Sequence, residues 1–197
     1  MASDILIING SPRKNKNCFE IATYIEDCFK KNNITNEIFD IYDMNIEYCT
    51  FCGYCEKVKG CKFKDDMSDM YDKFDKAKGV IVISPVCFDS VSAKIKTLVD
   101  RTQAIYASKY ILNDSIIDRN KKRIGMYIAV GGSKSYDTQF KGGQIVMDFF
   151  FKSINNKLKY NLYLNNTDEI GYKENEHFKA LLKQNVKKYI DNLIGLY

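Results

Sequence analysis

The sequence predicts an α/β fold in which helices cover both faces of a parallel sheet. Three features of its 197 residues predict this fold: short apolar runs of strand length recur, helical patterns of apolar residues separate them, and polar or glycine-containing loops follow them. Strands that are buried on both faces read as continuous apolar runs. Because alternating strands and helices require right-handed crossovers, we predict a single doubly wound domain over residues 1–197, without internal repeats.

The first strand and helix lie at the N-terminus. Residues 5–8, Ile-Leu-Ile-Ile, form the first buried strand, and the polar loop GSPRKNKNC follows it. Behind this loop, apolar residues recur every three or four positions from Cys18 to Phe29. This spacing predicts an amphipathic helix that begins near Asn17.

The second strand and helix flank a cysteine-rich segment, residues 47–66. The strand is predicted over residues 34–41, before this segment. Asp65 or Asp66 then caps the helix, because acidic residues are favoured at a helix N-terminus. We expect Gly79 to end the helix. Its apolar face carries Met67, Met70, Tyr71 and Phe74.

The third and fourth strands are the remaining fully apolar runs. Residues 80–83 form the third strand, which Ser84-Pro85 closes because proline cannot continue a central ladder. A polar connection at residues 108–122 leads to the fourth strand, residues 123–130, which ends at Gly131-Gly132. Between these strands, the loop PVCFDS precedes one predicted helix. Its apolar side carries Ile95, Leu98, Val99, Thr102, Ile105 and Tyr106.

The C-terminal part completes the alternation. Residues 144–154 have the apolar pattern of a helix, and residues 157–164, KLKYNLYL, alternate like an edge strand. Apolar residues from Phe178 to Leu193 stripe a final helix. The predicted sheet therefore has five strands.

Composition and charge argue against two classes of partner. A net charge of +5, from 30 basic and 25 acidic residues, is compatible with an anionic cofactor but too small to indicate nucleic acid. No apolar stretch approaches the roughly 20 residues that span a bilayer. The first residues, MASDILIING, lack the basic start and the long apolar run of a secretory leader. We therefore expect a soluble protein of the reducing cytoplasm that binds neither nucleic acid nor membrane.

Four cysteines stand within thirteen residues, in the order Cys-x2-Cys-x2-Cys-x5-Cys. They are Cys49, Cys52, Cys55 and Cys61. Three thiolates from one tight loop can hold three corners of an iron-sulfur cubane while the fourth arrives from further on. A single zinc ion fits less well, because zinc sites usually join two Cys-x2-Cys knuckles from separate places. Disulfides and the vestige of a lost site are the other interpretations.

Three polar loops follow predicted strands and should meet at one edge of the sheet, where open α/β folds bind ligands. The first, residues 11–18, precedes a helix N-terminus and offers hydroxyl, guanidinium, amide and backbone donors. It has neither the Gly-x-Gly-x-x-Gly pattern of dinucleotide loops nor the phosphate loop of nucleotide hydrolases. It predicts a monophosphate site or, alternatively, an ordinary solvated turn.

Four motifs together resemble one family. NGSPRKNKNC, CTFCGYCEKVKGC with KFKDDM, SPVCFDSVSAKIKTLVDR and AVGGSKSYDTQFKGGQ are similar to those of iron-sulfur flavoproteins, within the flavodoxin-like NAD(P)H-dependent FMN reductases. The resemblance spans residues 5 to about 150. It implies a flavodoxin-like fold, bound FMN, one [4Fe-4S] cluster on the four cysteines, and a homodimer or homotetramer with both cofactors near subunit interfaces.

The resemblance also implies which residues contact FMN. They are Ser11, Arg13, Asn15, Asn17 and Cys18 for the phosphate, Pro85, Val86, Cys87, Phe88 and Ser90 for the isoalloxazine, and Gly131 and Gly132 in the third loop. Three positions depart from the family pattern. Cys18 stands where relatives usually have threonine or serine, Cys87 where they often have tyrosine, and Asp89 where they often have glycine. Asp89 should disfavour anionic reduced flavin if its carboxylate points inward.

These residues predict a flavin-dependent oxidoreductase that relays electrons between FMN and the cluster. Its redox partner would be NAD(P)H or a protein such as a ferredoxin. A second interpretation is an NAD(P)H-dependent FMN or quinone reductase without a functional cluster. A third is a zinc-stapled interaction or sensor protein on the same scaffold.

Overall fold

The computed structural model describes residues 3–195 and contains one five-stranded parallel sheet. The strands are β1 (Ile5–Asn9), β2 (Asn36–Asp40), β3 (Gly79–Pro85), β4 (Ile124–Val130) and β5 (Lys157–Leu164). Their spatial order is β2-β1-β3-β4-β5. The prediction of a five-stranded, parallel, doubly wound α/β fold is confirmed.

Within the described residues, five α-helices lie between the strands and a sixth follows β5. They are α1 (Asn17–Lys31), α2 (Met67–Lys76), α3 (Ala93–Arg101), α4 (Gln103–Tyr110), α5 (Lys141–Ser153) and α6 (Glu176–Ile194). A short 3-10 helix at Tyr54–Glu56 lies in the long connection between β2 and α2. Among the described residues, no helix is long and apolar enough to span a membrane.

Two apolar cores lie on opposite faces of the sheet. On one face, side chains of α1 and α6, such as Phe29 and Leu182, pack with Ile5 and Ile7 of β1. On the other face, side chains from α2, α3, α4 and α5 pack with Leu6 and Ile8. Since successive strand residues point to opposite faces, the continuous apolar run of β1 supplies both cores.

Gly79 does not end α2, contrary to the prediction. The helix ends at Lys76, and Gly79 is the first residue of β3. A methyl group at Gly79 would come within 2.1 Å of the hydroxyl oxygen of Tyr189, which itself donates a 3.0 Å hydrogen bond to the carbonyl of Ile124. Glycine is therefore required here for the close packing of α6 on the sheet.

The helix predicted after β3 is two helices, with Thr102 between them. The Thr102 hydroxyl donates a 2.6 Å hydrogen bond to the carbonyl of Val99, and the Thr102 carbonyl accepts from the backbone N–H of Ile105 at 2.9 Å. This local bonding at the end of α3 starts α4 immediately. Also, α5 begins three residues before the predicted residue 144, at Lys141.

Candidate functional sites

A cavity of ≈ 300 Å³ lies at the carboxyl edge of the sheet. Loops that follow β1, β3, β4 and β5 border it. Eight of the twelve residues predicted to contact a flavin line this cavity. They are Ser11, Arg13, Asn17, Cys18, Pro85, Val86, Cys87 and Gly132. The topology thus brings residues from three separate loops into one concave site, as expected for open parallel sheets.

The N-terminus of α1 gives one end of this cavity an anion-binding character. Lys16 is the N-cap residue, and no side-chain hydrogen bond from the described residues caps the helix. The first N–H groups of α1 and the positive end of the α1 dipole therefore face a region that also contains Arg13. The Ser11 hydroxyl accepts a 3.2 Å hydrogen bond from the Arg13 N–H, which orders the loop. This end of the cavity suits a phosphate group.

Cys18 is a neutral, buried thiol at the start of α1. Only 3% of its surface is exposed. Burial raises the pKa of Cys18 to about 12, although a hydrogen bond with Ser11 opposes this shift. Cys18 can therefore pack and form a weak hydrogen bond, but it is not a thiolate nucleophile at neutral pH.

The loop after β3 forms a tight turn that turns Phe88 outward. Cys87 and Ser90 exchange two backbone hydrogen bonds, of 2.9 and 3.1 Å. Phe88 and Asp89 between them have left-handed backbone angles, with φ of 48° and 56°. Phe88 is fully exposed.

Asp89 points away from the cavity. One of its carboxylate oxygens accepts a hydrogen bond from the Tyr136 hydroxyl, and the other accepts one of 2.7 Å from the Thr138 hydroxyl. The bond from Thr138, followed by that from Tyr136, lowers the pKa of Asp89. The inward orientation considered for Asp89 is therefore not observed. Its carboxylate instead ties the loop after β3 to the loop after β4.

Four predicted contact residues do not line the cavity. They are Asn15, Phe88, Ser90 and Gly131. Asn15 lies at a left-handed turn, with φ of 57°. Gly131 binds the segment after β5 instead, because its N–H donates to the carbonyl of Leu164 at 2.7 Å and its carbonyl accepts from the Thr167 hydroxyl at 3.1 Å.

Several residues that line the cavity were not predicted from the sequence, including Tyr42, Thr167 and Asp168. Tyr42 follows β2, and the other two follow β5. Both strands were predicted, so the signal was available: every carboxyl end of a parallel strand reaches the same edge. A methyl group at Gly132 would come within 2.6 Å of the Asp168 carboxylate, which shows how closely these loops approach each other.

The four cysteines of the motif line a second, smaller cavity of ≈ 40 Å³. Phe51, Phe63 and Ala104 contribute apolar surface to it. All four cysteines are free thiols. Among the described residues, no three His, Cys, Asp or Glu side chains are gathered closely enough to hold a metal ion. Tetrahedral zinc, with Zn–S distances of roughly 2.3 Å, would need sulfurs about 3.8 Å apart.

The backbone of the cysteine segment is tightly turned. Phe51 and Gly53 have positive φ angles, of 48° and 70°, on either side of Cys52. Gly53 is the N-cap of the 3-10 helix at Tyr54–Glu56, which packs against α4. These turns place two cysteines, Cys52 and Cys55, at successive bends above α4.

A buried ion pair closes the base of this segment. Arg101 at the end of α3 binds Asp65 through two hydrogen bonds, of 2.5 and 3.0 Å, and 1% and 4% of the two side chains are exposed. The same guanidinium donates to the carbonyl of Glu47 at 2.8 Å, and the Asp65 carboxylate accepts from the Glu47 N–H at 2.9 Å. One ion pair thus holds both ends of the cysteine segment against α3.

Arg101 also lines the cysteine cavity. Burial acts most strongly on both partners of the pair, raising the pKa of Asp65 and lowering that of Arg101. The hydrogen bonds and opposite charges of the pair, together with further contacts such as the Glu47 N–H to Asp65, outweigh burial, so that the Asp65 pKa is lowered and the Arg101 pKa is raised. Arg101 stays charged, and its Nε has no hydrogen-bond partner among the described residues. This positive charge favours anionic ligands in the cavity.

The thiols of the motif differ in acidity. The backbone N–H of Tyr54 lowers the pKa of Cys52, and Lys62 contributes to this shift. Burial raises the pKa of Cys55, and the neighbouring Cys61 and Cys49 add to that shift. Cys52 therefore forms a thiolate more readily than Cys55.

The family model for NADPH-dependent FMN reductases matches residues 3–139. The chain belongs to this family. It is therefore a flavin-dependent oxidoreductase, with FMN as the flavin that the family indicates. Two curated relatives are similar to it. An iron-sulfur flavoprotein of Archaeoglobus fulgidus is 29% identical over 197 residues, 96% of each chain. An iron-sulfur flavoprotein of Methanosarcina thermophila is 30% identical over 128 residues, 65% of this chain and 63% of the relative.

Several solved structures of flavodoxin-like reductases are similar to this chain. An azoreductase from Bacillus anthracis superposes with a TM-score of 0.67 at 14% identity, covering 94% of this chain and 97% of that one. An NAD(P)H:quinone oxidoreductase from Methanothermobacter marburgensis gives 0.66 at 15% identity, covering 95% and 94%. At these identities the similarity establishes the flavodoxin-like fold of the reductase, not its substrate.

Proposed function

We propose that this reductase relays electrons between FMN in the carboxyl-edge cavity and a [4Fe-4S] cluster on Cys49, Cys52, Cys55 and Cys61. The observation that carries the proposal is that all four cysteines line one cavity. The two relatives named iron-sulfur flavoproteins support it, and one of them matches 96% of this chain.

The carboxyl-edge cavity has the donors that FMN requires. Ser11, Arg13 and Asn17, with the N-terminus of α1, would bind the phosphate, where Cys18 replaces a hydroxyl by a weaker thiol donor. Pro85, Val86, Cys87 and Gly132 would border the isoalloxazine, and Asn15, Phe88, Ser90 and Gly131 would shape the loops around it. Because Gly132 has no side chain, backbone can approach the ring.

The cysteine cavity suits a thiolate-ligated cluster for two reasons. All four cysteines line it, and Arg101 places a positive charge beside them. When bound, FMN supplies transfer of one or two electrons, and the cluster supplies transfer of one. The chain itself contributes the thiolates, borders them with the apolar ring of Phe63, and fixes the segment through Asp65.

A nicotinamide nucleotide is the proposed electron donor, and a small redox protein such as a ferredoxin is the proposed acceptor. The two cavities have no lining residue in common. We therefore propose a homodimer or homotetramer in which a second copy brings a cluster close to each flavin. Large apolar side chains of the cysteine segment and α5 are exposed and fit an interface. They include Tyr48, Phe51, Ile145 and Phe149.

We also propose that the protein works in the reducing cytoplasm, which its seven free cysteines fit.

Anaerobic purification tests this proposal. We expect one FMN and about four iron and four sulfide per chain, with separate flavin and sulfur-to-iron bands in the visible spectrum. Cys55→Ser should abolish the iron band and keep the flavin peaks, whereas Cys28→Ser, a cysteine outside the motif, should keep both. Absence of iron and sulfide after anaerobic reconstitution would contradict the relay.

The same experiment distinguishes the alternatives. The match of the family model itself favours a second function, an NAD(P)H-dependent FMN or quinone reductase without a cluster. Rapid nicotinamide oxidation by iron-free protein would support that function. Stoichiometric zinc without bound flavin would instead support a zinc-stapled interaction or sensor protein.

A further inference from the structure

A third concave site lies at the edge of the sheet opposite the flavin loops. This basic cavity, of ≈ 600 Å³, opens between the ends of α4 and α5 and the starts of β4 and β5. Its volume is in the range of roughly 300–1,000 Å³ that is typical of small-molecule sites. It has no lining residue in common with the flavin cavity or the cysteine cavity.

The lining of the basic cavity is strongly positive. Eight of its twelve described residues are lysine or arginine, and none is acidic. Two of the eight have carboxylate partners: Arg123 binds Asp75 at 2.7 Å and Lys152 binds Asp148 at 2.5 Å. The other six form no ion pair within residues 3–195. Like charges around one cavity repel each other, and an anion bound among them would relieve that repulsion.

Asn156 is an independent sign of a missing ligand. This residue lines the basic cavity, and only 5% of its surface is exposed. Neither its Oδ1 nor its Nδ2 has a hydrogen-bond partner among the described residues. Buried amides are nearly always hydrogen-bonded in folded proteins, so an unpartnered one requires an explanation. Both amide atoms are buried and Oδ1 packs against Gly125, so the Asn156 side chain would turn toward the cavity for a ligand oxygen to accept from Nδ2.

Lys109 prepares the cavity for an anion. Its buried ammonium donates to the carbonyls of Lys152 and Ser153, at 3.1 and 3.0 Å, and so neutralises the negative end of α5. Burial lowers the pKa of Lys109, and the charges of Arg119 and Arg123 lower it further. A bound anion would counter these effects. Because Lys109 is already engaged, the ligand would meet the more exposed basic residues.

Tyr110 gives the cavity a flat apolar wall. The residue is 55% exposed, and its ring contacts Tyr106, with centroids 4.8 Å apart, as well as the Lys109 ammonium at 5.4 Å and the Arg119 guanidinium at 5.5 Å. An aromatic base can stack on such a ring, beside a guanidinium that binds phosphate in a bidentate manner.

We propose that the basic cavity binds a small phosphorylated molecule of nucleotide size. Its phosphates would contact Arg119, Lys122, Lys157 and the Nδ2 of Asn156, and its base would stack on Tyr110. A concave site with a buried amide favours a small ligand over a macromolecular surface. This proposal is independent of the electron relay, since no residue is shared with either cofactor cavity.

Isothermal titration calorimetry tests it, with protein that carries bound FMN and has been freed of excess flavin. We expect saturable binding of ATP and of pyrophosphate, and no binding of adenosine at the same concentrations. Arg119→Glu with Lys157→Glu should weaken both ligands about tenfold or more, since charge-assisted hydrogen bonds to phosphate are lost. Tyr110→Ala should weaken ATP and leave pyrophosphate unchanged.

The matched control is Lys183→Glu with Lys187→Glu on α6, which changes the net charge equally at an exposed position. It should leave both affinities within about twofold, as expected for charges screened by salt. Equal losses in the two double variants would overturn the proposal in favour of unspecific charge attraction. Absence of saturable ATP and pyrophosphate binding would also overturn it, including where a single-stranded oligonucleotide or an acidic protein binds instead.

Discussion

At the scale of single residues, Arg101 and Asp65 have the largest expected effect on stability. Arg101→Met leaves the Asp65 carboxylate buried without its partner, and should lower the free energy of unfolding by about 3–5 kcal/mol. Urea unfolding of the metal-free protein measures this. Adding Asp65→Asn to Arg101→Met should recover part of the loss. Lys96→Met, which removes an exposed ion pair with Asp100, should cost less than about 1 kcal/mol.

The same pair predicts a pH dependence. The pKa of Asp65 is lower in the folded protein than in an unfolded chain, so the stabilisation is present above the unfolded pKa and is lost as the pH falls through the folded pKa. The stability difference between wild type and Asp65→Asn should therefore be constant from neutral pH to about pH 5 and shrink below about pH 4. A difference that grows in acid would contradict the assignment.

Cys18 and Cys87 should differ in reactivity although both line the flavin cavity. Cys18 is buried with a pKa of about 12, whereas Cys87 is exposed. Iodoacetamide at pH 8 should modify Cys87 within minutes and leave Cys18 unmodified in the folded protein, as peptide mass spectrometry would show. Added FMN should protect Cys87. Modification of both residues in urea is the control, and fast labelling of native Cys18 would refute its buried position.

Short-range motifs can be recognised in the sequence, whereas long-range pairs cannot. The cysteine spacing and the loop after β1 were visible because their residues are neighbours in sequence. The bond between Arg101 and Asp65 joins residues 36 positions apart. No local pattern encodes such a pair, so only the folded chain shows it.

At the scale of elements, the packing of α6 on β3 depends on Gly79. Gly79→Ala should lower the free energy of unfolding by about 1–3 kcal/mol, because the added methyl group collides with Tyr189 and breaks its bond to Ile124. Chemical denaturation measures this loss. Adding Tyr189→Phe removes the colliding hydroxyl, so the double variant should lose less than the sum of the two single changes. Strict additivity would contradict a direct clash.

Strands were easier to predict than helix ends. The central strands β1, β3 and β4 are continuous apolar runs, and all five strands were predicted within a few residues of their observed limits. The break between α3 and α4 was missed because Thr102 carries no glycine or proline signal. The apolar spacing continues across it, while the hydroxyl bond to Val99 that marks the end of α3 depends on a side-chain rotamer.

At the scale of the whole molecule, the cysteine segment should be the first part to open when metal is absent. It has few regular backbone bonds and is held mainly at its base by Asp65 and Asp66. Iron chelation should therefore expose residues 48–63 to limited proteolysis, while the sheet remains intact and FMN stays bound. Mass spectrometry of the fragments locates the cuts. Equal cleavage with and without iron would show that the segment does not hold the cluster.

The carboxyl-edge cavity and the basic cavity lie at opposite ends of the strands of the sheet. The loops that line the carboxyl-edge cavity follow the carboxyl ends of the strands, whereas the basic cavity borders the amino ends of β4 and β5. Helix α4 spans the distance on one face: Gln103 and Ala104 line the cysteine cavity, and Lys109 and Tyr110 line the basic cavity. The sequence predicted the first two sites, because each has a local motif. The basic cavity combines residues from four elements and has none.

The joined base of the cysteine segment has a consequence for how such chains diversify. Asn45 and Asp66 exchange hydrogen bonds of 2.7 and 3.1 Å, and Asp65 binds both Glu47 and the end of α3. The two ends of the cysteine segment therefore lie next to each other on the scaffold. The residues between these ends can be shortened, exchanged or lost through evolution without moving a strand. Enzymes with and without a cluster can therefore share the same fold.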